Sequence, residues 1–240
     1  MTAKKTLICF GDSLTAGTIG ASYVDILSEQ LPAAMRVINA GINGDTTINL
    51  LRRFERDVVP YRPDLIVILV GLNDLTSAYG WPSNRAYYRL IKRVPFALTP
   101  ARFAQAYQHL IAKLRQRTNA QLALCTLTTV GERLDDAFQT YIDAYSTIIC
   151  ALAAREQLPL IDLRHAFRAA LTDDPRDGPP YYIWTPLQDA AAIRLRGRTY
   201  AELGTRRGYR LLCDGAHLAD AGAALVAETM LPCIQTLLKK

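Results

Sequence analysis

Three side chains in this 240-residue chain have the types and spacing for acyl transfer: Ser13, Asp214 and His217. Ser13 lies in Phe10-Gly11-Asp12-Ser13-Leu14, directly after the apolar run Thr6–Phe10. A short β-prone run that stops at Gly-Asp-Ser reads as a strand ending in a tight turn. In open α/β sheets the carboxyl ends of strands are where ligands and chemistry collect. A serine hydroxyl is a weak nucleophile until a base takes its proton, and the chain has only three histidines. His109 falls inside a helical pattern, and His165 follows the run Leu158–Leu163. His217 alone has a carboxylate three residues upstream on a glycine-containing turn, Asp214-Gly215-Ala216-His217. Such a turn lets Asp214 accept from the imidazole Nδ1–H and leaves Nε2 for a serine, a base held by its orienting group. Taken alone, Gly-Asp-Ser is an ordinary turn and Asp-x-x-His a helix-start cap. Their presence at the two ends of one domain is what points to chemistry.

Acyl transfer also needs donors aimed at the developing oxyanion. Asn39-Ala40-Gly41-Ile42-Asn43-Gly44-Asp45-Thr46-Thr47 follows the run Met35–Ile38, and Gly71-Leu72-Asn73-Asp74 follows Asp64–Val70, the strongest strand candidate. Three successive strands would each deliver a polar group at the carboxyl end: Ser13, the Gly44 amide and the Asn73 side chain.

Gly-Asp-Ser-Leu, Gly44-Asp45-Thr46, Gly-x-Asn-Asp and Asp-x-x-His, in this order, resemble the four blocks of the SGNH (GDSL) hydrolase family. The resemblance spans residues 6 to 238. It implies Ser13 as nucleophile, with its own amide, Gly44 and Asn73 forming the oxyanion hole, His217 as base and Asp214 as its orienter. It also implies hydrolysis of esters or thioesters, mostly without a metal. The serine context lacks the second glycine of Gly-x-Ser-x-Gly, which argues against the nucleophile elbow of α/β-hydrolases.

The elements that must position these residues follow by alternation. Thr99-Pro100 is a helix start, with Thr99 as N-cap and Pro100 at the first helical position. Phe103, Ala106, Tyr107, Leu110, Ile111 and Leu114 share one face of that helix. Gln121–Leu127 reads as a fourth strand and Leu158–Leu163 as a fifth. Helical stripes run from Phe138 to Leu152 and from Leu225 to Leu238. Strands alternating with helices give a parallel sheet covered on both faces. The expected fold is therefore a three-layer α/β/α sandwich with a five-stranded sheet. The flavodoxin-like order 2-1-3-4-5 fits, and the family resemblance implies it. Residues 1–240 form a single domain with insertions at about 76–98 and 172–210, both leaving from the edge of the proposed site.

These insertions hold both tryptophans, Trp81 and Trp184, and seven of the twelve tyrosines. That aromatic density argues against disorder. The segments either wall the substrate cleft or pack on the domain's flank. Asp12, Trp81, Trp184 and Arg206 are the candidate substrate contacts. Residues 84–93 and 194–210 together carry ten basic side chains against one acid, Glu202, in a chain of net charge +6. A positive rim near the site would favour anionic esters.

No DNA- or RNA-binding motif accompanies the basic patches. We find no apolar run of the roughly 18 residues a membrane span needs. After Lys4-Lys5 no signal-peptide core follows, so the expected location is cytoplasmic. The five cysteines form no Cys-x-x-Cys pair and read as buried thiols. Asp173-Asp174-Pro175-Arg176-Asp177-Gly178 lacks the ligand spacing of a calcium loop. No metal or cofactor is expected, and the expected partner is a small-molecule acyl ester. Three functions are compatible with the sequence: a carboxylester hydrolase, a carbohydrate O-acetyl esterase, and a non-catalytic binding module with a degenerate site. The intact set of five site residues argues against the third. An acyl acceptor other than water is compatible with the first two.

Overall fold

A computed structural model describes residues 4–173, 197 and 199–239. Five parallel strands form one sheet in the order β2-β1-β3-β4-β5: β1 Lys5–Gly11, β2 Met35–Gly41, β3 Leu65–Leu69, β4 Gln121–Cys125 and β5 Leu160–Ile161. All five residues of β3 are buried, as a central parallel strand covered on both faces requires. The fifth strand is shorter than the apolar run Leu158–Leu163 implied. Pairing is confined to Leu160 and Ile161, and Leu163 already opens a helix.

Ten α-helices are described: α1 Ser13–Ala16, α2 Tyr23–Gln30, α3 Thr47–Asp57, α4 Leu72–Tyr79, α5 Pro82–Leu90, α6 Pro100–Arg117, α7 Phe138–Arg155, α8 Leu163–Asp173, α9 Tyr200–Arg206 and α10 Asp220–Leu238. Helix α6 buries the six-residue face read from the sequence, Phe103 through Leu114. Thr99 precedes it without a side-chain capping bond, so Pro100 alone marks the start chemically. By length and composition α10 is long and apolar enough to cross a membrane, although Asp220, Glu228 and Gln235 interrupt it and a soluble core helix meets the same criterion. Its apolarity has a local cause. Val226, Met230, Ile234 and Leu237 are buried in the core, and the helix packs against α2 and α8.

The register decides where the site lies. Gly11 pairs with Gly41 on one side and Leu69 on the other, so β1, β2 and β3 end at one level. The strand order reverses at β1, which opens a crevice at these carboxyl ends. Gly11 must be glycine: a Cβ there would lie 2.2 Å from Thr15 Oγ1 and 2.3 Å from the Leu69 carbonyl oxygen.

The insertion at 76–98 is not an irregular loop. It comprises the end of α4, all of α5 and a short connection to α6. Most of the insertion at 172–210, with Trp184, lies outside the described residues.

Candidate active site

Ser13 is the first residue of α1. Asp12 caps that helix through Oδ1, which accepts from Leu14 N–H at 3.0 Å. The Ser13 side chain faces the turn before α10. His217 Nε2 lies 3.0 Å from Ser13 Oγ, and His217 Nδ1 lies 2.7 Å from Asp214 Oδ2. The sequence separation between serine and histidine is 204 residues, so only the closed fold joins them.

The turn is built to hold this geometry. Asp214 is fully buried. Its other oxygen, Oδ1, accepts from the Ala216 and His217 backbone N–H groups at 2.9 and 2.8 Å. Burial alone would raise the Asp214 pKa, but the His217 imidazole and these two amides outweigh it and hold the carboxyl below its usual range. The turn closes through Cys213 N–H to the His217 carbonyl at 2.8 Å.

Asn73 ties the two neighbouring loops together. Its Nδ2 donates to the Asp45 carbonyl at 3.0 Å and to Asp12 Oδ2 at 3.2 Å, which places it beside the residues flanking Gly44 and Ser13. Among the described residues, the Gly44 and Ser13 backbone N–H groups meet no acceptor. Gly44 has φ +74° in the turn Ile42–Asp45, a left-handed conformation that favours glycine. A Cβ there would also come within 2.5 Å of Tyr87 Oη.

The sequence reading put Asp12 among the substrate contacts. The structure instead buries it, 2% exposed, and turns both oxygens onto Leu14 and Asn73. Burial raises its pKa to about 7, while the Leu14 amide, His217 and Asn73 pull the other way. Arg206 is exposed in the last turn of α9. Trp81 is 62% exposed and lines a cavity of about 290 Å³ with Thr76, Tyr79, Arg85, Asp136 and Phe138. Tyr79 stacks on Tyr141 at its edge, ring centroids 4.1 Å apart. The cavity lies at the far end of α4 from Asn73, six residues or about 9 Å along the helix axis.

Part of the basic rim is structural. Lys92 reaches Asp45 Oδ1 at 2.5 Å and the Asn43 carbonyl at 2.8 Å, and its side chain is only 13% exposed. Arg53, which no sequence pattern singled out, is buried. It pairs with Asp45 at 2.6 Å, donates to the Gly11 carbonyl at 2.8 Å and stacks over Phe10. Asp45 therefore serves as the anchor of the Gly44 loop. Glu132 was missed as well. It is 1% exposed, and its carboxylate accepts from the Arg210, Leu211 and Leu212 backbone N–H groups just before the Asp214 turn. Neither residue had a legible signal, because both act across sequence gaps on groups that no side-chain pattern reports.

The profile of the GDSL-like lipase/acylhydrolase family matches residues 9–225. The chain belongs to that family. It is a carboxylic ester hydrolase. An acetylxylan esterase of Geobacillus stearothermophilus is 24% identical over 182 residues, 69% of this chain and 78% of that protein. Esterase TesA of Pseudomonas aeruginosa is 29% identical over 166 residues, 66% of this chain and 70% of that protein. Among solved structures, the acetyl xylan esterase AlAXEase superposes with a TM-score of 0.66 at 27% identity, covering 95% of this chain and 99% of that one. A lipase/acylhydrolase from Enterococcus faecalis, TM-score 0.63 at 23% identity, shares the fold. It covers 97% of this chain, and 96% of its own length is matched.

Proposed function

We propose that this chain cleaves small carboxylic esters in two acyl-transfer steps, with Ser13 as nucleophile, His217 as base and Asp214 as orienter. The observation that carries the reading is the continuous chain from Asp214 Oδ2 through the imidazole to Ser13 Oγ, with links of 2.7 and 3.0 Å.

In the first step Ser13 Oγ attacks the ester carbonyl while its proton passes to His217 Nε2. The carbonyl oxygen becomes an oxyanion held by the Ser13 and Gly44 N–H groups and Asn73 Nδ2. The Asn73 proton on the longer bond, 3.2 Å to Asp12, is the one an oxyanion beside Ser13 would take. The imidazolium then gives its proton to the departing alkoxide, leaving an acyl-serine. In the second step water loses a proton to His217 as it attacks the acyl carbon, and Ser13 leaves with that proton restored. Asp214 stabilises the imidazolium in both steps, and its lowered pKa keeps it ionised for this.

A second reading narrows the substrate to an acetylated carbohydrate. Two relatives named for acetylxylan support it, and so does the aromatic cavity of Tyr79, Trp81 and Phe138, one helix length of α4 from Asn73 and within reach of an oligosaccharide. Exposed aromatic faces suit the apolar side of a sugar ring, and Arg85 and Asp136 beside them suit its hydroxyls.

The test is hydrolysis of p-nitrophenyl esters from acetate to palmitate, and of acetylated xylo-oligosaccharide, by the wild type and Ser13→Ala. The expected result is hydrolysis confined to short chains and acetyl-sugar, with kcat down about 10⁴-fold or more in Ser13→Ala. A Ser13→Ala enzyme that keeps most of its activity overturns the assignment.

A further inference from the structure

Asn73 can serve as an oxyanion donor only if its amide nitrogen faces the site, and an amide group can turn over by half a rotation. Its nitrogen side is held by the Asp45 carbonyl and Asp12. Among the described residues its oxygen side is held by one group. Tyr88 Oη donates to Asn73 Oδ1 at 2.6 Å, the shortest bond the amide makes.

Tyr88 comes from α5, in the insertion whose purpose the sequence left open. It is 6% exposed and packs with Val94, Leu98 and Ile48 in a small cluster separate from the main core. The backbone around it is fastened to the Gly44 loop and to α3. Val94 N–H donates to the Tyr88 carbonyl at 2.9 Å. Lys92 Nζ grips Asp45 and Asn43, and Asn49 Nδ2 donates to the Lys92 carbonyl at 2.9 Å. Tyr87, the adjacent residue, covers Gly44. The α5 segment therefore touches both proposed oxyanion donors that lie outside the serine turn.

We infer that Tyr88 is a positioning residue for ester hydrolysis, its phenol fixing in place an Asn73 amide already oriented by the Asp45 carbonyl and Asp12, and polarising the N–H bonds that meet the oxyanion. This inference rests on the reading of Asn73 as an oxyanion donor. Two physical effects support it. A donor on the amide oxygen shifts electron density away from the nitrogen and makes its protons better donors, as in any hydrogen-bonded chain. The turned-over amide is penalised by the Asp45 carbonyl and Asp12, acceptors that would then face its oxygen, and the phenol holds the correctly turned amide in place by its 2.6 Å bond. The insertion at 76–98 thus acts as a brace on the oxyanion hole, apart from whatever its outer face binds.

The test is a double-mutant cycle on p-nitrophenyl acetate with Tyr88→Phe, Asn73→Ala and the pair, with thermal unfolding run on each. Tyr88→Phe keeps the ring that packs on Val94 and Leu98 and removes only the hydroxyl. The expected result is a fall in kcat of about 3- to 10-fold, the rate equivalent of one neutral hydrogen bond, at unchanged KM. In the Asn73→Ala background the same change should alter kcat by less than about twofold. A general loosening of the fold would not give this split, because it would act whether or not Asn73 is present. Wild-type kcat in Tyr88→Phe, or an equal loss in both backgrounds, overturns the inference and leaves the Asn73 assignment standing if Asn73→Ala is itself impaired. An Asn73→Ala enzyme with wild-type kcat overturns both. If Tyr88→Phe unfolds below the assay temperature, the cycle is run below the lowest Tm of the four proteins, and there a loss confined to the background that retains Asn73 supports the inference, while no loss or an equal loss overturns it.

Discussion

Removing Glu132 should damage both the stability and the chemistry of this enzyme, although Glu132 touches no reacting atom. Its Oε1 accepts from Leu211 N–H at 2.6 Å and Leu212 N–H at 2.7 Å, and its Oε2 accepts from Arg210 N–H at 2.9 Å. Glu132→Ala strands two buried amides and one partly buried amide. Each buried donor left without a partner costs about 1–3 kcal/mol. The total is then about 3–6 kcal/mol, the partly buried amide adding least. For a domain of this size each kcal/mol moves Tm by about 2–4 °C, so the expected loss is roughly 10–20 °C. Glu132→Gln separates the contributions. Its remaining carbonyl oxygen can still serve Leu211 and Leu212, while its NH₂ faces the Arg210 amide, so the loss should be about a third as large. The amides in question lead directly into Cys213 and Asp214, and the residue before Glu132 is bonded to the turn itself, Gly131 N–H to the Gly215 carbonyl at 2.7 Å. Letting that turn drift spoils the 3.0 Å approach of His217 to Ser13. A misplacement on the order of 1 Å costs about 10²-fold in rate, so kcat should fall by about 10- to 100-fold at temperatures where the variant is folded. Differential scanning calorimetry and ester hydrolysis read the two effects. A Glu132→Ala protein that melts within about 3 °C of the wild type at unchanged kcat would refute the reasoning.

Two further outcomes follow from burial and exposure. Burial lifts the Asp74 carboxyl to about 7, above its ordinary 3.8, against the pull of Thr47. The folded state therefore holds this proton more tightly than the unfolded chain, so the contribution is full below about pH 4 and is lost as pH rises through about 7. Asp74→Asn should flatten the decline of Tm across that window and gain on the wild type above it, and parallel Tm curves would contradict this. Trp81, 62% exposed, should matter only to substrates large enough to reach it. Trp81→Ala should raise KM for an acetylated oligosaccharide by about 10-fold and leave p-nitrophenyl acetate unchanged, and equal effects on both substrates would remove the cavity from the binding site.

Much of this enzyme was legible in its sequence because the relevant information is local. Parallel strands buried on both faces must be apolar runs, so Thr6–Phe10 and Leu65–Val70 announce themselves. The residues that end such runs are confined to glycine and small polar types, so Gly-Asp-Ser, Gly44 and Asn73 stand out as strand ends, and Asp214-Gly215-Ala216-His217 as a turn. Alternation of strands and helices then sets the layers, and the family resemblance added the strand order.

The partners of the polar groups were decided by tertiary structure alone. Asp12 reads as a polar residue beside the proposed nucleophile, yet register and the closing of α1 bury it against Leu14 and Asn73. Lys92 reads as one charge of a basic rim, yet the fold turns it inward onto Asp45. Glu132 and Tyr88 carry no pattern at all. One bonds backbone amides some 80 residues away and the other a side-chain amide 15 residues away. Burial of apolar side chains is additive and leaves a periodic trace in the chain. A hydrogen bond is directional and depends on where two distant atoms finally come to rest. The sequence by itself therefore determined the layers and the residues that meet at the candidate site, and the folded chain decided what holds those residues in position.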